Sequence, residues 1–204
     1  VISNSVDTET YSPPAADEFA RREPLVLFVG SLIRRKGVHT LLEALAQVRA
    51  ALGEYRLVLV GEGPEQADLA ALAAELGITA AVEFAGFLAQ DQVAAWMRRA
   101  RLFVLPSTEE GQGVVLLEAL ASGTPVVASR VGGIPEVLAE GTGCLVPPDD
   151  ARALAAQIVA VLSDPQHWRQ LSASGRRHVE ARYSADAIGT CYRALYAGVL
   201  APHT

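Results

Sequence analysis

Residues 25–45 read LVLFVGSLIRRKGVHTLLEAL. A continuous apolar run, Leu25–Gly30, ends in a short basic turn and passes into a helical pattern over Val38–Leu52. Near-continuous apolar runs are what strands covered on both faces require. The same alternation recurs down the chain. Further strand candidates are Arg56–Gly61, Val82–Gly86, Leu102–Pro106, Pro125–Ser129 and Cys144–Val146. Between them lie helix candidates at Glu65–Leu76, Asp91–Ala100, Val114–Ala121 and Ile134–Ala139. This βαβα rhythm predicts an α/β fold: a parallel six-stranded sheet with helices on both faces. Right-handed crossovers make it doubly wound and Rossmann-like.

After the last strand the pattern becomes helical throughout, over Asp150–Leu162, Gln166–Arg182 and Ala185–Leu200. Asp150 and Ser184 suit helix caps, and Pro165 suits a first turn. The polar start, Val1–Pro24, carries Pro13-Pro14 and reads as a linker. The division expected is a linker at 1–24, a ligand-binding sheet domain at 25–164 and C-terminal helices at 165–204.

The 204 residues suffice for one well-packed domain. A net charge of −6 argues against a broad nucleic-acid surface, so no nucleic-acid partner is expected. No run is long and apolar enough to span a bilayer. No basic start with a short apolar stretch and cleavage site is seen, so no secretory signal is expected. The beginning, Val1-Ile2-Ser3-Asn4, lacks Met and reads as a fragment. Cys144 and Cys191 read as small core residues of a reducing cytosol rather than a disulfide or metal site. The histidines have no ligand-like spacing. Of the 17 basic residues only Lys36 is lysine; an Arg-rich genome explains the bias but not that one position.

In an open parallel sheet, ligands bind at the carboxyl ends of the strands, so the loops after strands carry the chemistry. The first, Gly30-Ser31-Leu32-Ile33-Arg34-Arg35-Lys36-Gly37, enters a helix whose free N–H groups and dipole favour anions. It fits neither G-x-G-x-x-G nor G-x-x-x-x-G-K-[ST], which disfavours dinucleotide and P-loop chemistry. It is a phosphate site or a solvated basic turn. The second, residues 106–122, reads PSTEEGQGVVLLEALAS. It sets Glu110 in a loop and Glu118 in the following helix, where both can face one cleft. Gly111 and Gly113 allow close backbone approach and offer N–H donors. Alternatively Glu110 only serves the helix dipole and Glu118 only occupies an exposed position, though its neighbours are all apolar and a buried carboxylate needs a hydrogen-bonding partner. The third, Val131-Gly132-Gly133-Ile134-Pro135-Glu136, allows either close backbone approach or merely a tight turn. Glu136 is functional there or simply favours the helix start.

Taken together and in order, these segments resemble the retaining glycosyltransferases of the GT-B fold that include glycogen and sucrose synthases and bacterial mannosyltransferases. VISNSVDTETYSP resembles their interdomain I-P-N-G-V-D segment. VGSLIRRKGVHTLLEA, LVLVGEGP and VEFAGFL resemble the phosphate loop and the next two strands. PSTEEGQGVVLLEALASGTPVVAS is similar to the E-x7-E signature, and VGGIPEVL and GCLVPPDD follow in place. The chain would then be the donor-binding half of such an enzyme.

The resemblance implies a nucleotide-diphosphate sugar as donor, with Lys36 and Glu110 catalytic. Lys36, Arg35, Gly30 and Ser31 would meet the diphosphate. Gly111, Gln112, Gly113 and Val114 would lie against sugar and phosphate, and Glu118 would bind the ribose. Phe87, Leu88 and Val115 would border the base. No D-x-D sequence is present, and neither a metal nor another cofactor is expected. The acceptor site would lie on an N-terminal GT-B domain, towards which the C-terminal helices pack. Cytoplasmic location follows from the family, with a position at the inner membrane face through the N-terminal half also open. Two departures stand out: Ser31 where relatives carry G-R-L, and Gln112 where they carry an aromatic in E-G-F-G. Alternatives are a stand-alone nucleotide-sugar-binding or regulatory module without catalysis, or another GT-B enzyme such as a sugar-nucleotide epimerase.

Overall fold

The computed structural model describes residues 3–15, 22–139 and 141–200; linker positions 1–2 and 16–21 and His203 lie outside them. Six parallel strands form one sheet: β1 (Glu23–Val29), β2 (Arg56–Val60), β3 (Val82–Gly86), β4 (Ala100–Leu105), β5 (Val126–Ser129) and β6 (Cys144–Val146). Their order is β3-β2-β1-β4-β5-β6. The connecting helices are α1 (Val38–Leu52), α2 (Gln66–Glu75), α3 (Gln90–Arg99), α4 (Val114–Ala121) and the short α5 (Ile134–Val137). Then follow α6 (Ala151–Ser163), α7 (Pro165–Arg182) and α8 (Ala185–Leu200). This is the doubly wound sheet expected. Leu25–Phe28, Leu57–Leu59 and Leu102–Leu105 are fully buried, as strands covered on both faces must be. α1 packs on α6, and α4 on α7.

Two strands begin earlier than hydropathy suggests. β1 starts at Glu23, whose carboxylate pairs with Arg56 at 2.5 Å and Arg99 at 2.7 Å. β4 starts at Ala100 and includes Arg101, whose guanidinium lies 5.2 Å from the Trp168 ring centre. Charged residues at the rim of a sheet can join a strand because their long stems carry the charge out to partners or water. The caps follow the sequence: Asp150 accepts from the Ala153 N–H at 2.8 Å. Asp164, which the sequence reading passed over, caps α7 by accepting from Gln166 and His167.

The N-terminal segment is fastened to this domain. The Val6 N–H donates to the Tyr183 carbonyl at 2.9 Å. Arg176 Nη1 donates to the carbonyl of Tyr11 at 2.8 Å, and Arg98 Nη1 to that of Thr10 at 3.2 Å. Val6 and Tyr11 are buried. Arg22 is buried too, and its guanidinium donates to the carbonyls of Met97, Ala100 and Ser122 and to Thr124 Oγ1. Burial, with Arg101 nearby, pushes its pKa down to about 9.

The cysteine expectation holds only in part. Cys144 is half-buried and burial raises its thiol pKa, but Cys191 is exposed on α8.

Candidate functional site

The strand order reverses between β1 and β4: the chain runs outward to β2 and β3 on one side, and to β5 and β6 on the other. Loops on the two sides of such a reversal diverge and leave a crevice at the carboxyl ends. There a cleft of about 440 Å³ is lined by Asn4, Gly30, Ser31, Lys36, Glu110, Gln112, Gly113, Val114, Val115 and Glu118, among others. A second cleft, of about 320 Å³, shares Val29, Gly30 and Ser31 with it and continues towards Gly61, Glu62, Phe87 and Leu88. The fold thus gathers into one continuous groove the loops that the sequence singled out after β1 and β4.

The loop after β1 is built by close backbone packing. A Cβ on Gly61 would come within 2.0 Å of the Gly30 carbonyl oxygen, so only glycine admits the β2 loop there. Residues Arg34–Lys36 form a 3-10 turn, and Gly37, at φ 66°, starts α1. Gly37 also presses on the Pro106 carbonyl, where a Cβ would approach to 2.1 Å. This contact ties the first loop to the one after β4. The Thr108 N–H adds a bond to the Arg35 carbonyl at 2.8 Å.

Lys36 Nζ donates to Glu110 Oε2 at 2.5 Å, with both side chains largely shielded at 16% and 13% exposure. The hydroxyl of Ser107, itself fully buried, donates to the same oxygen at 3.3 Å. Behind them the loop after β5 comes in close. The Gly133 N–H donates to the Gly111 carbonyl at 2.7 Å, and a Cβ on Gly132 would fall 1.8 Å from the Glu110 carbonyl oxygen. Both uses considered for Gly132 and Gly133 are realised: they make a turn, with Gly132 at φ 50° and the Ile134 N–H donating to the Val131 carbonyl at 3.1 Å, and the backbone they approach is the Glu110 loop. Glu136 sits in the first turn of α5, and its carbonyl accepts from the Tyr183 hydroxyl at 3.0 Å.

Glu118 is half-buried within α4. Burial pushes its pKa up, and only the hydroxyl of buried Tyr11 counters this by hydrogen bonding. The buried Tyr11 phenol is in turn held protonated, by desolvation first and by the neighbouring carboxylate second.

Some expected residues sit elsewhere. Arg35 is exposed and does not line the cleft; its carbonyl, not its guanidinium, is engaged there. Gly111 is turned to solvent and holds the Gly133 loop. Val115 lines the larger cleft rather than the one with Phe87, which is 79% exposed at the groove's edge. Glu62, Asn4 and Tyr11 were not singled out. They lie in segments that carry the resemblance, VISNSVDTETYSP and LVLVGEGP, but local sequence does not show their partners, because Asn4 and Tyr11 act on residues more than a hundred positions away. Among the described residues no group of three or more His, Cys, Asp or Glu could hold a metal ion, and no helix is long and apolar enough to cross a membrane.

Residues 14–178 match the family described as Glycosyl transferases group 1. Glycogen synthase of Mycobacterium tuberculosis is 34% identical over 96% of the chain. The chain spans about half the length of such curated relatives, 47% in that case. Among solved structures, sucrose-phosphate synthase from Thermosynechococcus elongatus superposes with a TM-score of 0.83 at 37% identity, over 97% of this chain and 52% of that one. Anabaena Alr3699/HepE, in complex with UDP and glucose, superposes with a TM-score of 0.87 at 26% identity, over 97% of this chain and 56% of that one.

Proposed function

The chain belongs to the glycosyl transferases group 1 family, and from that membership we propose that it is the half of a retaining hexosyltransferase that binds a nucleotide-diphosphate sugar. The observation that carries this reading is the meeting of Lys36, Glu110 and Glu118 in one groove at the strand-order reversal. Each group suits one part of the donor. Lys36, near the N-terminus of α1, answers the charge that develops on a departing diphosphate. Glu110 borders the transferred sugar. Glu118, whose burial is only partly compensated, gains hydrogen-bond donors from the two ribose hydroxyls. The base occupies the cleft by Gly61, Phe87 and Leu88. In this reading no metal is required, because Lys36 and backbone N–H groups supply the positive potential. That the Anabaena neighbour forms a complex with UDP and glucose supports a nucleoside diphosphate sugar as the ligand.

The acceptor would be held by an N-terminal domain of the whole protein, working in the cytoplasm or at the inner membrane face. The exposed face of α8 is suited to meet that domain. Tyr192, Leu195, Tyr196 and Val199 recur at helical spacing and are 44–68% exposed. The 204-residue chain alone would therefore bind donor but transfer little.

Calorimetric titration with UDP, GDP and ADP, beside a Lys36→Ala variant, tests this. One nucleotide should bind and lose its affinity in the variant. Absence of binding by all three at millimolar concentration would overturn the donor-binding reading for this chain.

A further inference from the structure

Gln112 stands where the resemblance leads one to expect an aromatic, and the structure gives it a partner. Asn4 approaches it from the N-terminal segment. The Asn4 backbone N–H donates to Gln112 Oε1 at 3.0 Å, and Asn4 Nδ2 donates to the same oxygen at 2.7 Å. A backbone N–H can only donate, so the Gln112 atom it faces must be the oxygen. That fixes the Gln112 amide, and through it the Asn4 amide. The two remaining polar ends are then determined. Gln112 Nε2 keeps two N–H donors and Asn4 Oδ1 keeps its acceptor lone pairs, and neither is used by another described residue. Both residues line the cleft that holds Lys36 and Glu110.

A donor and an acceptor side by side match a group that both accepts and donates, and the commonest such group on a sugar is a hydroxyl. We propose that Asn4 and Gln112 together form a clip that reads one hydroxyl of the transferred sugar, Gln112 Nε2 donating to it and Asn4 Oδ1 accepting from it. The inference rests on the donor-binding reading above, and makes this pair a determinant of which sugar is carried. Sites built to hydrogen-bond a hydroxyl discriminate strongly, because an analogue with that hydroxyl misplaced leaves both polar groups unpaired. Epimers differing at one carbon are therefore the natural probes.

The affinities of this chain for UDP-glucose and UDP-galactose, GDP-mannose and GDP-glucose, and ADP-glucose and ADP-mannose would be measured beside those for UDP, GDP and ADP. The same set would be run on Asn4→Ala and Gln112→Glu. The first keeps the backbone bond to Gln112 and removes the side-chain acceptor; the second keeps an oxygen for Asn4 and removes both donors. The wild type should prefer one epimer of a pair by about 10-fold, the worth of one or two unmade hydrogen bonds, and the preference should shrink to about 2-fold or less in each variant. A general loosening of the loop would weaken both epimers alike and leave their ratio standing, which would count against the clip. So would a wild type that binds nucleotide-sugars without distinguishing epimers. Failure of the wild type to bind even the nucleoside diphosphates would instead remove the donor-binding reading itself.

Discussion

The loop after β4 and the helix that follows it each place a carboxylate on the same cleft, in opposite electrical situations. Glu110 is shielded but faces Lys36 at 2.5 Å and the Ser107 hydroxyl. Glu118 is half-buried with no cation against it among the described residues, and burial raises its pKa. Glu110 is thus settled before any ligand arrives. Glu118 is held in a state that costs stability, and a ligand that donates hydrogen bonds to it relieves that cost. A shared cleft can hold both because the lysine comes from the other side of the strand-order reversal, on a loop locked to the β4 end by the contact of Gly37 with Pro106.

The contrast is broken most severely at Lys36. Lys36→Met leaves Glu110 as unpaired as Glu118, and nucleoside diphosphate affinity should fall about 100-fold, the weight of a charge-assisted contact, in a calorimetric titration. Next comes the scaffold behind Glu110. Gly132→Ala puts a Cβ into the Glu110 carbonyl at a φ of 50°, and should cost about 2 kcal/mol in chemical denaturation with a loss of nucleotide affinity alongside.

A smaller effect sharpens the other side. Glu118→Gln should weaken binding of the preferred nucleoside diphosphate about 10-fold, yet change binding of its 2′,3′-dideoxy analogue by less than about 2-fold, since in the proposed reading the contact it removes is made with the ribose hydroxyls. The smallest effect is on stability and has the opposite sign. A carboxyl whose folded pKa is raised contributes stability that is full below its unfolded pKa and lost as pH rises through the folded pKa. The charged Glu118 is therefore a cost at about pH 7, and Glu118→Gln should raise the ligand-free thermal midpoint there. The gain should vanish towards about pH 4, where the native carboxyl is protonated in the wild type. A lower midpoint at neutral pH would mean that Tyr11 compensates Glu118 fully.

The sheet was legible because burial on both faces writes itself as plain apolar runs, and the loops were legible because basic and glycine-rich turns interrupt them. What escaped was whatever depends on two distant segments meeting. Arg22 looked like part of a polar linker, yet its guanidinium is enclosed by carbonyls from the end of α3 and the region after α4. Asn4 and Gln112 are 108 positions apart, and only the folded chain brings them together. The openness at Gly132 and Gly133 had the same source: a tight turn and a close approach need the same residue, and the partner backbone is not local. Arg35 was drawn in by its charge next to Lys36, but a 3-10 turn points successive side chains in different directions, and only Lys36 reaches the cleft.

The fastening of residues 4–11 also tells a protein engineer where to cut. Asn4 grips the Glu110 loop, Val6 is bonded to Tyr183, and Tyr11 lies under Glu118. A chimera that joined a foreign partner domain at the proline pair would throw away three anchors of the groove while keeping every residue that looks functional. The splice belongs ahead of Asn4, where the graft would inherit the groove with all three contacts intact.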